Sequence, residues 1–61
     1  MPTMPANWLR ANTVSLVIAA ARRVAEQEGQ TDTVTLLKAA EQASVDHQNR
    51  ISREHRAANQ E

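Results

Sequence analysis

The 61 residues contain no cysteine, no Phe and no Tyr, a single Gly, and two Pro that both fall within the first five positions. Without cysteine there are no disulfide cross-links and no thiolate metal sites. The histidines do not replace them: His47 and His55 stand eight positions apart, whereas two histidines chelate from one helix at a spacing of four. The scarcity of Gly and Pro leaves a long stretch with almost no backbone punctuation after position 5. An excess of one charge is also missing. Seven Lys and Arg face seven Asp and Glu, which argues against a chain whose main work is neutralising phosphates and gives no sign of an acidic nucleic-acid mimic.

What is present is aliphatic. Hydrophobic residues make up 41% of the chain, and Trp8 is its one aromatic. A core of Ala, Val, Leu and Ile packs helix against helix at close range, and abundant Ala, Gln, Glu and Arg favour helix over strand. A chain this short makes one domain at most, here residues 1–61, whose isolated core contributes only about 3–5 kcal/mol. With disulfides and metals set aside, a second copy or a partner is the remaining source of stability. The charge-free run Thr13 to Ala21 follows Arg10 and ends in three alanines, the outline of a short secretory segment. Cleavage there would leave a largely polar fragment of about forty residues with few large apolar side chains, too little to fold alone. The run is also well short of the ~20 residues that cross a bilayer, and Arg22 and Arg23 close it. The expectation is a cytoplasmic protein that does not engage a membrane.

The fold expected is all-α: an antiparallel two-helix hairpin with a helix over about 7–28, a turn at 29–31 and a helix over about 32–57. Residues 1–6 form an extended lead-in, with Pro5 or Asn7 available to begin the first helix, and 57–61 a frayed tail. At about 100° per residue, Ala11, Val14, Val17, Ile18, Ala21, Val24 and Ala25 share one stripe of the first helix, widened by Leu9, Leu16 and Ala20. Asn12, Ser15, Arg22, Arg23 and Glu26 take the remaining arc. An apolar arc wider than one neighbour can cover implies a second packing partner. Gly29 stands where a helix end wants a left-handed residue, and Thr31 or Asp32 follows as a cap. The second helix carries Thr33, Leu36, Leu37, Ala40, Ser44, His47, Ile51 and Ala58 on its apolar side. From Asp46 onward it outruns the first helix as a polar overhang, with Asp46, Arg50 and Glu54 spaced as an ion-pair ladder.

No constellation carries catalysis. Ser15, Ser44 and Ser52 have no base set in an elbow or glycine-rich turn beside them, so no catalytic residue, cofactor or small-molecule substrate is expected. Residues Val34 to Arg53 resemble the helix-turn-helix unit of bacterial repressors. That resemblance implies a scanning helix over 36–42, a turn at Ala43-Ser44-Val45, and a recognition helix capped by Asp46 that presents His47, Gln48, Asn49, Arg50 and Arg53 to base edges. Arg50, Arg53 and Arg56 also form a basic strip that an RNA-binding bundle would turn to phosphates. In architecture alone the hairpin resembles the small plasmid RNA-binding bundles.

The leading expectation is a protein–protein interaction module, an adaptor, inhibitor or regulator of the kind phages and mobile elements encode. It would pair with itself into a four-helix arrangement through Val14, Val17, Ile18, Ala21, Val24, Leu36, Leu37 and Ala40. It would meet a larger protein partner through Trp8, Leu9, Leu16, Ala20, His47, Ile51 and His55. Nucleic acid is the second choice, contacted by Gln48, Asn49, Arg50, Arg53 and Arg56.

Overall fold

A computed structural model describes residues 3–59 of the chain; of the expected lead-in and tail, residues 1–2 and 60–61 lie outside it. Two helices, α1 (Ala6–Gln27) and α2 (Thr31–Ala58), form an all-α hairpin with no strand among the described residues. Their bounds agree with the sequence reading to within a residue at each end.

Local chemistry explains the two starts and the turn. Pro5, at φ −65° and ψ 155°, is the N-cap of α1, and its carbonyl accepts from the amides of Trp8 and Leu9 at 3.0 and 3.2 Å. Gly29 takes φ 69° just after α1, a conformation that is open to Gly without steric cost. The Gln30 amide then donates to the Ala25 carbonyl at 2.9 Å and the Gly29 amide to Glu26 at 3.2 Å. This paired closure satisfies the carbonyls a helix end leaves orphaned. Gln30, rather than Thr31 or Asp32, is the N-cap of α2, and it makes no side-chain cap bond. Thr31 and Asp32 lie inside the first turn instead, where the Asp32 carboxylate faces the positive end of the helix dipole; His55 and Arg56 occupy the opposite end. The α1 termini carry no such charges.

The hairpin is a rod. It measures 49 × 16 × 13 Å, with a radius of gyration of 14.4 Å against the ~10–11 Å of a compact chain this long. Two helices form a single layer, while a buried core ordinarily needs two. Accordingly, Ala19, Ala25 and Ile51 are the only apolar residues buried among those described, joined by Ser15.

The seam between the helices lies only partly where apolar periodicity places it on α1: Ala25 of that stripe is buried and Ala11 and Ile18 are half-buried. Ser15 is buried and Asn12 and Arg22 are half-buried, although all three belong to the arc read as polar and solvent-facing; Val14, Val17, Ala21 and Val24 are exposed instead. The reason is size. Ala11, Ser15 and Ala19 follow one another at steps of four, so a spine of small side chains admits α2 at close range, which a valine stripe would hold off.

The expected overhang is shorter as well. Ser15 bonds Ser44 and Asn12 bonds Gln48, a register that sets Ile51 level with the first turn of α1. Ile51 is therefore 7% exposed, a core residue of the single hairpin and not part of an overhang or partner-binding surface. The ladder through Asp46, Arg50 and Glu54 is also absent. Asp46 accepts instead from the Gln42 side-chain amide at 2.9 Å, and the ion pairs among the described residues both belong to Arg22.

Candidate functional site

Polar side chains join the helices at two levels. Ser15 donates its single hydroxyl proton to Gln48 Oε1 at 3.0 Å, so Ser44, 2.7 Å from Ser15 Oγ, must be the donor in that pair. Gln48 Nε2 then donates to Asn12 Oδ1 at 2.9 Å. The result is a directed relay, Ser44 to Ser15 to Gln48 to Asn12, that crosses the seam three times. Nearer the turn, Arg22 Nε donates to Glu41 Oε1 and Nη1 to Glu26 Oε1, both at 2.7 Å. The hydrogen bond to Glu41 is the main cause, and that to Glu26 the next, of an Arg22 pKa raised above its usual value. The seam leaves no buried side-chain polar atom unpartnered among the described residues.

The surfaces that remain open are apolar. Leu9, Val14, Leu16, Val17, Val24 and Leu36 are 50% to 71% exposed and Val45 is 37% exposed. Turning about 100° per residue divides them between two sides of the rod. One side carries Val14, Val17, Ala21 and Val24 of α1 with Leu36, Ala40 and Ala43 of α2. There an open groove of about 540 Å³ runs between Asn7, Arg10, Ala11 and Val14 on one helix and Ala43, Ser44 and His47 on the other. The opposite side carries Leu9, Leu16 and Ala20, with Val45 across the seam. A monomer rarely leaves so much aliphatic surface contiguous without using it.

Of the residues expected to mediate self-association, Val14, Val17, Ala21, Val24, Leu36 and Ala40 are exposed, while Ile18 and Leu37 are half-buried along the seam. Among those expected to meet a partner, Leu9, Leu16, Ala20 and His47 are exposed; Trp8 and His55 are half-buried near the end of the rod where Ile51 is enclosed. For nucleic acid, Asn49, Arg50, Arg53 and Arg56 are exposed, but Gln48 is half-buried and held in the relay. The α2 helix runs unbroken through Ala43, Ser44 and Val45, where a helix-turn-helix unit would turn, so the resemblance to repressors does not extend to the backbone. Sequence reasoning missed Asn12, Ser15, Arg22, Glu41 and Gln48 as the residues that join the helices. The signal available for them was the small-residue spine of α1 facing Glu41, Ser44 and Gln48 on one side of α2.

Among the described residues no helix is long and apolar enough to cross a membrane, and no three of His, Asp and Glu gather at metal-binding distance. No protein-family model, curated protein or solved structure matches the chain.

Proposed function

We propose that this chain is a small interaction module that pairs with itself and binds a larger protein partner through the apolar faces of its helices. It acts as an adaptor, inhibitor or regulator, by occupying a surface and not by chemistry. One observation carries the reading: seven large aliphatic side chains lie outside the hairpin, Leu36 at 71% and Leu16 at 61% exposure, while Ile51 alone of the large aliphatics described is buried and Ser, Asn, Gln, Arg and Glu bond across the seam. Selection for a stable lone hairpin would turn those side chains inward, where burial is worth ~1.5–3 kcal/mol each.

The partner face assigned here is the side bearing Leu9, Leu16 and Ala20. Capture from the native cell with the wild-type chain and with Leu9→Asp/Leu16→Asp tests it. A protein retained by the first, lost by the second, and held equally at low and moderate salt supports docking through an aliphatic face. Retention by both chains, or recovery of nucleic acid whose binding collapses as salt rises, overturns it.

A further inference from the structure

Five exposed residues of α1, Arg10, Val14, Val17, Ala21 and Val24, together with Glu28 at its C-cap, repeat at alternating steps of four and three, the spacing of a coiled-coil seam. The series reads the same in both directions about Ala19. Laid antiparallel on a second copy of itself, α1 sets Val14 on Val24, Val17 on Ala21, and Arg10 on Glu28. The exposed residues of α2 do nearly the same about Glu41, with Leu36 meeting His47, Ala40 meeting Ala43, and Asp32 meeting Arg50. These two centres are level with each other, because the bonds Ser15–Ser44, Asn12–Gln48 and Arg22–Glu41 bring Ala19 beside the Glu41 turn of α2. The groove between Arg10 and Val14 of α1 and Ala43 and His47 of α2 places the open-end halves of both stripes on one face, and the 100° step per residue carries the rest along it.

Charge fixes the occupant and its direction. On this face Arg10 and Arg50 lie at the open end of the hairpin and Glu28 and Asp32 at the turn, about 27 Å away at 1.5 Å per residue, too far to pair within one chain. A copy docked with its turn at the same end would set carboxylate beside carboxylate and guanidinium beside guanidinium. Reversed, every end contact joins opposite charges. Area agrees. The chain exposes 4685 Å², roughly 700 Å² more than a compact monomer of its mass, close to the ~800 Å² that each partner contributes to a stable interface.

We infer that this face takes a second copy of the chain in antiparallel orientation, α1 on α1 and α2 on α2, about a two-fold axis level with Ala19 and Glu41. The inference rests on the reading of the helical faces as interaction surfaces. It commits one of them to self-association and leaves the Leu9 and Leu16 side free for the other partner.

The lack of native cysteine makes cross-linking a clean test. Full-length Val14→Cys and Val24→Cys chains are mixed in equal amounts and mildly oxidised; a second mixture pairs Val17→Cys with Ala21→Cys. Antiparallel docking predicts that mixed disulfide dimers dominate in both tubes. Random yields, enrichment of Val14→Cys homodimers, or no cross-linking in either tube overturns it. Charge reversal supplies a readout independent of thiol geometry. Arg10→Glu should weaken self-association about tenfold at low salt, and adding Glu28→Arg should restore it; a double variant as weak as the single contradicts the arrangement. Dimer loss in Arg10→Glu with unchanged capture of the larger partner confines the effect to this face. Loss of capture in Leu9→Asp/Leu16→Asp, or its persistence, judges the interaction reading separately.

Discussion

The inner and outer sides of α1 differ in a way that runs opposite to a lone amphipathic helix. The side facing α2 holds Asn12, Ser15, Ala19 and Arg22; the sides facing away hold Leu9, Val14, Leu16, Val17 and Val24. Small and polar residues suit the first task because they allow close approach and, once paired, admit one register. A slip of the helices would leave Ser15 and Gln48 without partners, each a cost of roughly 1–3 kcal/mol where water is excluded. Aliphatic residues suit the second, since burial against another surface is non-directional and scales with area. Side-chain size and pairing thus settle which face closes the hairpin, and the large aliphatic side chains are left on the faces that look away from α2.

The widest separation between the two sides should come from truncating one residue on each. Ile51→Ala removes a side chain that is 7% exposed and should destabilise the hairpin by about 2–4 kcal/mol, most of what so small a core contributes. Leu36→Ala removes one that is 71% exposed and should cost a single hairpin under about 0.5 kcal/mol, while weakening self-association. Urea melts of both variants at low micromolar and at millimolar concentration check the contrast: the Ile51 variant melts early at both, the Leu36 variant only loses the extra stability that concentration confers.

The seam can be sharpened next. Ser15→Ala leaves the Ser44 hydroxyl and Gln48 Oε1 without their partner and should cost about 1–2 kcal/mol. Replacing Ser15, Ser44 and Gln48 together by Ala, Ala and Leu leaves little unpaired and should recover most of that loss, but with register no longer enforced. A thermal melt reports the recovery, and broadened or doubled amide NMR signals report the loss of a single register.

Gly29 lies off both sides and serves as a control. A Cβ there would meet nothing within 4 Å, so Gly29→Ala is penalised only for holding φ 69°, about 1–2 kcal/mol, equally at all protein concentrations in chemical denaturation of the hairpin. The smallest effect belongs to Arg22. Its pairs with Glu26 and Glu41 keep 23% to 45% of each side chain in solvent, and Arg22→Ala should barely move the denaturation midpoint, a difference that shrinks as salt screens it.

The outline of the fold was legible from few residues. Gly29, alone between two unbroken helical patterns, marked the turn, and the propensities of its flanks made both sides helix. The facing surfaces were not legible by the same means. Apolar periodicity ranks Val14 and Val17 above Ser15 and Ala19 as core, because it measures transfer from water and is blind to how closely two backbones can approach. Ile51 was misplaced for a related reason: overhang was judged from helix lengths, whereas the register set by Ser15, Ser44 and Gln48 brings it level with the start of α1. The excess of apolar arc on α1, by contrast, was visible in the sequence and is the feature on which the functional reading rests.

Sedimentation velocity from nanomolar to millimolar concentration, on the native chain and on Val17→Asp, tests most directly that the outer side of the hairpin exists to associate. Native chain should pass from one chain mass to two as concentration rises, while Val17→Asp, altered at a residue 62% exposed in the single hairpin, should remain at one chain mass and retain its helical circular dichroism. A native chain that stays folded at one chain mass up to millimolar concentration, or a Val17→Asp chain that pairs as the native one does, would contradict it.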